Sequence, residues 1–345
     1  PALTSYHKFA HFRLKGGYFN KQKTYIYDNA IDAITPKIEQ AIKDNYLKNA
    51  QAILFLPTRA NFKYLVCNDC NHTYECPYCS IGMSLHFNEK KMQCHYCGFA
   101  LAIPNKCPQC QQNNLQSHRI GTAEVYNWFN KKESKFRVAL FDRDSVKTET
   151  ALKKLLKSFN NKEIDLLIGT QMLSKGHDYH HINLAIILGI DHQLSHADYR
   201  AREKGLALSI QIAGRSGRKE NSTIIVQTKN KYFFEQYIED YEQFIQDELP
   251  FRKDLYPPFR KLARIIFSHT NENIAQEEMN KSLLKLQNFE HIDIIGYGAS
   301  AIQKIANKYR YTILVRSESS KFLLNALHKV KSQFNQIDVD PIDFN

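Results

Sequence analysis

The stretch IDLLIGTQMLSKGHDYHHINLAIILG, residues 164–189, contains two short apolar runs joined by a polar loop. Neither run alternates regularly between apolar and polar residues, and each ends at a glycine. Continuous apolar runs of this length, bounded by turn residues, predict strands that are buried on both faces. Such strands are typical of parallel sheets covered by helices. This stretch therefore predicts the centre of a parallel sheet, with the polar loop at the carboxyl end of its first strand.

Further strands and helices are predicted on both sides of this centre. Predicted strands are AILFL (52–56), FRVALFD (136–142) and STIIVQT (222–228). Helical patterns lie within residues 31–49, from Thr122 onward, and within 148–159 and 198–215. Because strands and helices alternate along the chain, the predicted fold class is α/β, a parallel sheet with helices on both faces.

The pattern changes beyond residue 228. KYFFEQYIEDYEQFIQDEL (231–249) predicts one linker helix, and the prolines of LYPPF mark a boundary after it. The remainder reads strand, helix, strand, strand, helix, strand, which predicts a small α+β domain. We place the main domain at 1–66 and 111–228, an inserted Cys-rich module at 67–110, the linker helix at 229–250 and the C-terminal domain at 251–345.

All eight cysteines lie in CNDCNHTYECPYC (67–79) and CHYCGFALAIPNKCPQC (94–110), as four C-x-x-C pairs. A C-x-x-C turn places two thiolates on one tetrahedral Zn²⁺, and two turns complete a four-sulfur shell. Four turns therefore predict two structural zinc ions. An iron–sulfur cluster stays an alternative, whereas disulfides are disfavoured in a signal-less chain with an ordinary core. Histidines that are possible substitute ligands are His72, His86 and His95.

Two pairings of the four turns are open. A sequential pairing asks Cys70 and Cys76 to share a site across only five residues. In a nested pairing the two inner turns flank SIGMSLHFNEKKMQ, which is long enough for a hairpin. We favour the nested pairing, in which site 1 is Cys67, Cys70, Cys107 and Cys110, and site 2 is Cys76, Cys79, Cys94 and Cys97.

The chain carries a formal net charge of +12 over 345 residues. An excess of cations favours a polyanionic partner such as nucleic acid. Candidates for base stacking in the Cys-rich module are Phe87, Tyr96 and Phe99, although packing against the cysteine turns is an equal alternative. No apolar run is long enough for a membrane span and no signal peptide is visible, which predicts no membrane partner and a cytoplasmic location.

Two more motifs indicate a chemical role. GTQMLSKGHDY (169–179) lies at the carboxyl end of a predicted parallel strand, where ligands bind in such sheets. QIAGRSGR (211–218) places two arginines three residues apart after a predicted helix. A guanidinium offers a fixed fork of donors to phosphate oxygens. An isolated G-R-x-G-R is more often an exposed basic turn, but its position after such a loop favours phosphate chemistry.

These two motifs resemble the fifth and sixth motifs of superfamily-two helicases. Together with the cysteine segment and with PALTSYHK, IDHQLSHADYRARE, YPPFRKLA and DVDPIDF, they make the chain similar to the C-terminal part of the PriA family of replication-restart helicases, also called primosomal protein N′. The resemblance covers essentially the whole chain. It implies a second RecA-like helicase lobe that carries the two-zinc module, followed by a C-terminal α+β domain, and it also supports the nested pairing.

The resemblance implies an ATP-driven 3′-to-5′ DNA helicase that recognises forks and starts replication restart by primosome assembly. Its implied partners are single-stranded and forked DNA, primosome proteins and single-stranded DNA-binding protein. It implies a monomer that is nucleoid-associated at replication forks.

The family motifs also imply roles for individual residues. Thr170 is expected to touch the DNA backbone, and Gly176 and Asp178 to couple DNA contact to the nucleotide. Gln211, Arg215 and Arg218 are expected to face the ATP phosphates, with the arginines acting as fingers. We expect both arginines to be exposed in an open cleft.

The chain contains no G-x-x-x-x-G-K-[ST] loop and no D-E-x-H motif. In the family these lie in an upstream lobe, so we expect this chain to begin near the end of that lobe. Alone it is expected to bind ATP weakly, if at all, and to hydrolyse none, because the phosphate cradle and the metal ligand are missing. ATP and Mg²⁺ are expected as cofactors of the complete helicase. Two rival hypotheses are a non-catalytic zinc-ribbon module that holds DNA and a primosome adaptor.

Overall fold

The computed structural model describes residues 3–10, 21–57, 64–70, 72–86, 91–94, 96–118, 121–132, 135–142, 145–173, 179, 181–196, 198–217 and 220–341. The strands are β1 (Lys23–Asp28), β2 (Gln51–Phe55), β3 (Tyr64–Cys67), β4 (Ser84–His86), β5 (Lys91–Gln93), β6 (Ala100–Ala102), β7 (Leu115–His118), β8 (Val138–Phe141), β9 (Leu166–Gly169), β10 (Ile182–Ile187), β11 (Ser222–Gln227), β12 (Lys261–His269), β13 (Asp293–Ile305), β14 (Lys308–Ser317) and β15 (Asn335–Val339).

The helices are α1 (Leu3–Lys8), α2 (Pro36–Leu47), α3 (Thr122–Lys132), α4 (Glu149–Asn160), α5 (Ile190–Leu194), α6 (Ala201–Ala213), α7 (Lys231–Tyr237), α8 (Tyr241–Arg252), α9 (Glu272–Leu286) and α10 (Ser320–Val330). None of these described helices is long and apolar enough to cross a membrane.

The largest sheet has six strands in the order β1-β11-β10-β2-β9-β8, and every neighbouring pair is parallel. The predicted α/β fold with a parallel sheet is therefore confirmed. The sequence pattern missed β1, whose residues KTYIYD are mostly half-buried at the sheet edge. This edge strand shows no continuous apolar run, because its side chains are only partly covered on the two faces of the sheet.

Successive residues of β2 point to opposite faces and enter two separate cores. Ile53 and Phe55 join the core that α4, α6, α7 and α8 cover. Ala52 and Leu54 join the core that α2 and α3 cover. Both faces of the sheet are thus buried, which explains why its central strands are apolar at nearly every position.

The Cys-rich module lies between β2 and α3 and contains two small antiparallel sheets, β3–β7 and β4–β5–β6. Its core is small and includes Met83, Leu85 and Met92 together with buried cysteines. Strands β3 and β7 pair partly outside residues 67–110, since Tyr64 lies opposite His118. The domain boundaries given above stay predictions.

The predicted single linker helix is wrong, because the segment forms two helices, α7 and α8. The side chain of Asp240 accepts hydrogen bonds from the backbone N–H groups of Glu242 and Gln243, and it thereby caps the start of α8. An N-cap of this kind satisfies donors that a continuous helix would pair internally, and it stabilises a new helix start. Aromatic residues line the contact between α7 and α8, as the aromatic face of the segment predicts, and Tyr237 and Phe244 pack edge to face.

The C-terminal domain follows the predicted strand and helix order. Its antiparallel sheet has the order β13-β14-β12-β15. Helices α9 and α10 cover one face, where Phe267, Ile313 and Leu327 belong to a common core. The predicted α+β architecture is confirmed.

Candidate metal centres and helicase motif loops

Four cysteine side chains meet at the base of β3 and form the first candidate metal centre. The Sγ atom of Cys67 lies 3.5 Å from that of Cys110, and Cys70 Sγ lies 3.6 Å from Cys107 Sγ. All four sulfurs lie within 4.8 Å of one another. Sulfurs bound to one tetrahedral zinc at about 2.3 Å are about 3.8 Å apart, whereas a disulfide brings them to about 2.05 Å. The distances fit metal ligation, and the cysteines are free thiols.

The second candidate centre is built the same way from the inner two turns. Cys76 Sγ lies 3.5 Å from Cys97 Sγ, and all four sulfurs again lie within 4.8 Å of one another. Its members are Cys76, Cys79, Cys94 and Cys97. The structure thus brings together the two sets of four that the nested pairing groups, and each set offers the all-sulfur shell of a structural zinc site.

The electrostatics of the thiols favour the binding of a cation. Burial and the neighbouring thiols of Cys97 and Cys94 together raise the pKa of Cys79 to about 12, although the backbone N–H of Ala306 lowers it. At Cys107 burial also raises the pKa, but the backbone N–H groups of Cys110 and Gln109 outweigh it, so the pKa falls to about 7. Four adjacent thiols cannot all ionise without a compensating positive charge, so a metal would bind with proton release.

The loop GTQMLSKGHDY begins at the carboxyl end of β9, as expected. Gly169 leaves no room for a side chain, since a Cβ there would lie 2.4 Å from the carbonyl oxygen of Phe141. Thr170 is 4% exposed, and its carbonyl accepts from the N–H of Leu173 at 2.9 Å. The DNA contact expected of Thr170 stays a prediction.

QIAGRSGR starts on α6 and continues beyond its end. Gln211 is exposed, whereas Arg215 is half-buried and not fully exposed as expected. Arg215 interacts with Tyr179, the last residue of the other motif: burial raises the pKa of Tyr179, and the positive charge of Arg215 opposes that rise. Tyr179 is fully buried, with its ring edge-on to Phe159. The two motifs are therefore neighbours in space.

Several predicted residues lie outside the described part of the chain: Gly176, Asp178, Arg218, Phe87 and His95. Their roles stay predictions. Of the other aromatic candidates, Tyr96 is 45% exposed, and base stacking by it stays a prediction. Phe99 packs edge to face on Tyr78, with ring centroids 5.0 Å apart.

Sequence reasoning missed one contributor to the second centre. The backbone N–H of Ala306 lies 3.2 Å from the sulfur of Cys79, across 227 residues of chain. The only local signal was a turn-forming asparagine at position 307, between two predicted strands. A turn signal indicates a hairpin but not what the hairpin contacts.

The parallel sheet with its two motif loops belongs to a helicase lobe, which is one part of this chain. The model of the helicase conserved C-terminal domain matches residues 112–220. The model of the PriA DNA helicase Cys-rich region domain matches residues 76–100, and that of the primosomal protein N C-terminal domain matches residues 253–342.

The chain belongs to the PriA family. The replication restart protein PriA of Helicobacter pylori is 41% identical over 351 residues, which cover 99% of this chain and 57% of that protein. Those of Borreliella burgdorferi and Bacillus subtilis are 33% and 30% identical, covering 90% and 87% of this chain and 49% and 38% of theirs. The chain thus spans about half the length of the curated relatives it matches.

Among solved structures, domain 2 of the DEAD-box helicase Mss116p bound to an RNA duplex is similar at 15% identity, with a TM-score of 0.35. The similarity covers 64% of this chain and 60% of that one. So weak a similarity carries no argument about function. The family assignment, together with the two cysteine clusters, identifies a helicase-family chain with zinc-binding sites.

Proposed function

We propose that this chain is the C-terminal portion of an ATP-dependent 3′-to-5′ DNA helicase that recognises forks and initiates replication restart by primosome assembly. The observation that carries the proposal is the proximity of the two motifs. Tyr179 closes the loop that follows a parallel strand, and Arg215 follows the helix that leads into the next strand of the same sheet. In this proposal the loop faces DNA, and its last residue lies near a guanidinium that is suited to bind phosphate.

In this proposal the arginines of QIAGRSGR stabilise charge on the transferring phosphoryl group of ATP. Gln211 faces the phosphates beside them, Gly176 and Asp178 link DNA contact to the nucleotide, and Thr170 meets the DNA backbone. ATP and Mg²⁺ are held by an upstream lobe, because this sequence contains neither a phosphate-binding loop nor a D-E-x-H motif. The two zinc ions have a structural role.

The proposed macromolecular partners are single-stranded and forked DNA, primosome proteins and single-stranded DNA-binding protein. The net charge of +12 supports the DNA partners, since cations that neutralise phosphates release counterions on binding. We propose that the protein acts as a monomer at forks.

The test compares ATP hydrolysis by this chain with hydrolysis by the same chain extended through the upstream lobe. We expect none from the first and DNA-stimulated hydrolysis from the second, with Mg²⁺ omission as the control. The extended chain should unwind duplexes that carry a 3′ single-stranded tail and leave those with a 5′ tail intact. DNA binding without hydrolysis by the extended chain would instead favour the rival hypothesis of a non-catalytic zinc-ribbon module that holds DNA.

A further inference from the structure

Backbone N–H groups approach sulfurs in all four C-x-x-C turns of the module, and the turns differ at their second cysteine. In three turns, the sulfur of the second cysteine lies against the N–H of the residue two positions later: Cys70 with His72, Cys97 with Phe99, and Cys110 with Gln112. In the fourth turn the corresponding N–H, that of Ile81, donates to the carbonyl oxygen of Cys79 at 2.9 Å. Its own turn therefore does not supply the sulfur of Cys79 in this way.

The donor to that sulfur comes from the C-terminal domain. The N–H of Ala306 lies 3.2 Å from Cys79 Sγ. Ala306 and Asn307 form the two-residue turn between β13 and β14, and both have positive φ, 47° and 63°. Two left-handed residues in succession are characteristic of the tight turns whose twist matches paired strands. The turn that closes the hairpin is thus also the part that reaches the cysteine.

Two more backbone hydrogen bonds flank this contact. The N–H of Ser80 donates to the carbonyl of Lys304 at 2.8 Å, and the N–H of Asn307 donates to the carbonyl of Tyr78 at 3.0 Å. Ile305 packs against the apolar core of the module. The turn is therefore held on both sides of Cys79 by main-chain bonds, which fixes the direction of the Ala306 N–H.

We propose that the β13–β14 turn belongs to the second metal centre, where Ala306 acts as a positioning residue for the thiolate of Cys79. A thiolate on zinc retains negative charge, and an N–H aimed at it stabilises the charged form. Loss of such an outer partner typically weakens metal binding by about 10–100-fold. Metal binding at site 2 and docking of the C-terminal domain on the module are then coupled. The coupling acts equally in both directions.

The first experiment reads each cysteine separately in the zinc-loaded full chain. The protein is challenged with a chelator and a maleimide, and alkylation of each thiol is followed by mass spectrometry. Ala306→Pro removes the N–H and cannot adopt a positive φ, whereas the matched control Ala306→Gly keeps the N–H and accepts that φ. We expect alkylation of the site 2 cysteines to accelerate about tenfold or more in Ala306→Pro, with site 1 unchanged. Ala306→Gly should match the wild type.

The second experiment leaves the turn intact and tests the reverse direction. Hydrogen exchange at the amides of Ala306 and Asn307 is compared in Cys94→Ser, which disables site 2, and in Cys70→Ser, which disables site 1. We expect faster exchange at the turn only in Cys94→Ser. The proposal would be overturned if Ala306→Pro accelerated alkylation of both cysteine sets equally, or if it left the site 2 cysteines as protected as in the wild type. It would also be overturned if Cys94→Ser did not change hydrogen exchange at the turn amides.

Discussion

The guanidinium of Arg252 lies 3.1 Å from the carboxylate of Glu203, and both side chains are almost fully buried. Arg252 also donates to Glu248 at 3.3 Å, while Glu203 accepts the backbone N–H of Leu3 at 2.9 Å. A buried cation between two buried carboxylates joins α1, α6 and α8. These three helices come from distant parts of the sequence.

Arg252→Met should destabilise the fold strongly, because it leaves two buried carboxylates without their shared cation. Removal of one partner from a buried pair typically costs about 3–5 kcal/mol. Arg202→Met is the matched control, since Arg202 binds Glu248 from a half-exposed position and should lose about 0–1 kcal/mol. Denaturant unfolding measures both changes, and equal effects would show that burial of the network contributes nothing.

Gly169→Ala should be destabilising, because the new Cβ meets a carbonyl oxygen of the neighbouring strand at 2.4 Å. The backbone of paired strands must shift to accept this contact, so we expect a loss of roughly 1–3 kcal/mol. Gly296→Ala is the control: a Cβ there meets no atom within 4 Å. Thermal unfolding of the two variants should separate them clearly, and a Gly169→Ala protein as stable as the control would contradict the close approach.

Metal analysis should find two zinc ions per chain. Cys76→Ser and Cys94→Ser should each lose one zinc, and the double variant should still lose only one, because both open the same shell. Cys76→Ser combined with Cys107→Ser should lose both. A stoichiometry of one zinc, the presence of iron, or the reverse pattern of losses would reject the two four-thiolate sites.

DNA affinity should fall steeply as salt rises. Binding that depends on phosphate neutralisation gives a logarithm of affinity that decreases linearly with the logarithm of salt concentration. Fluorescence anisotropy with labelled single-stranded and forked DNA, over a salt series, measures the slope. An affinity that did not change with salt concentration, or no binding at low salt, would count against DNA as a partner.

Arg215→Ala and Arg218→Ala should each abolish most ATP hydrolysis in a chain that includes the upstream lobe. An arginine finger typically contributes on the order of 10³-fold or more to rate. Lysine should rescue little, because an ammonium lacks the planar fork. Since Arg215 is half-buried, its variants need a parallel stability measurement. Lys153→Ala, an exposed cation on α4, is the control, and hydrolysis at its level by either arginine variant would refute that assignment.

Much of the fold can be predicted from the pattern of apolar and polar residues alone. The apolar runs of β2, β9, β10 and β11 are buried on both faces, so their residues had to be apolar at nearly every position. The edge strand β1 was not predicted, because its half-buried residues need not be apolar at every position. The break between α7 and α8 depends on the cap at Asp240, a single polar residue within a segment that is otherwise helical in pattern.

The sequence by itself determined the parallel α/β class, the order of elements in the C-terminal domain, and a cysteine spacing suited to two four-sulfur shells. Each of these follows from local periodicity or from the short reach of a C-x-x-C turn. Only the tertiary structure decided which side chains meet across long separations. Arg252 joins Glu203, Arg215 approaches Tyr179, and the N–H of Ala306 reaches Cys79. These contacts depend on how the helices and strands pack against one another. Such packing produces no periodic sequence pattern in the residues that it brings together.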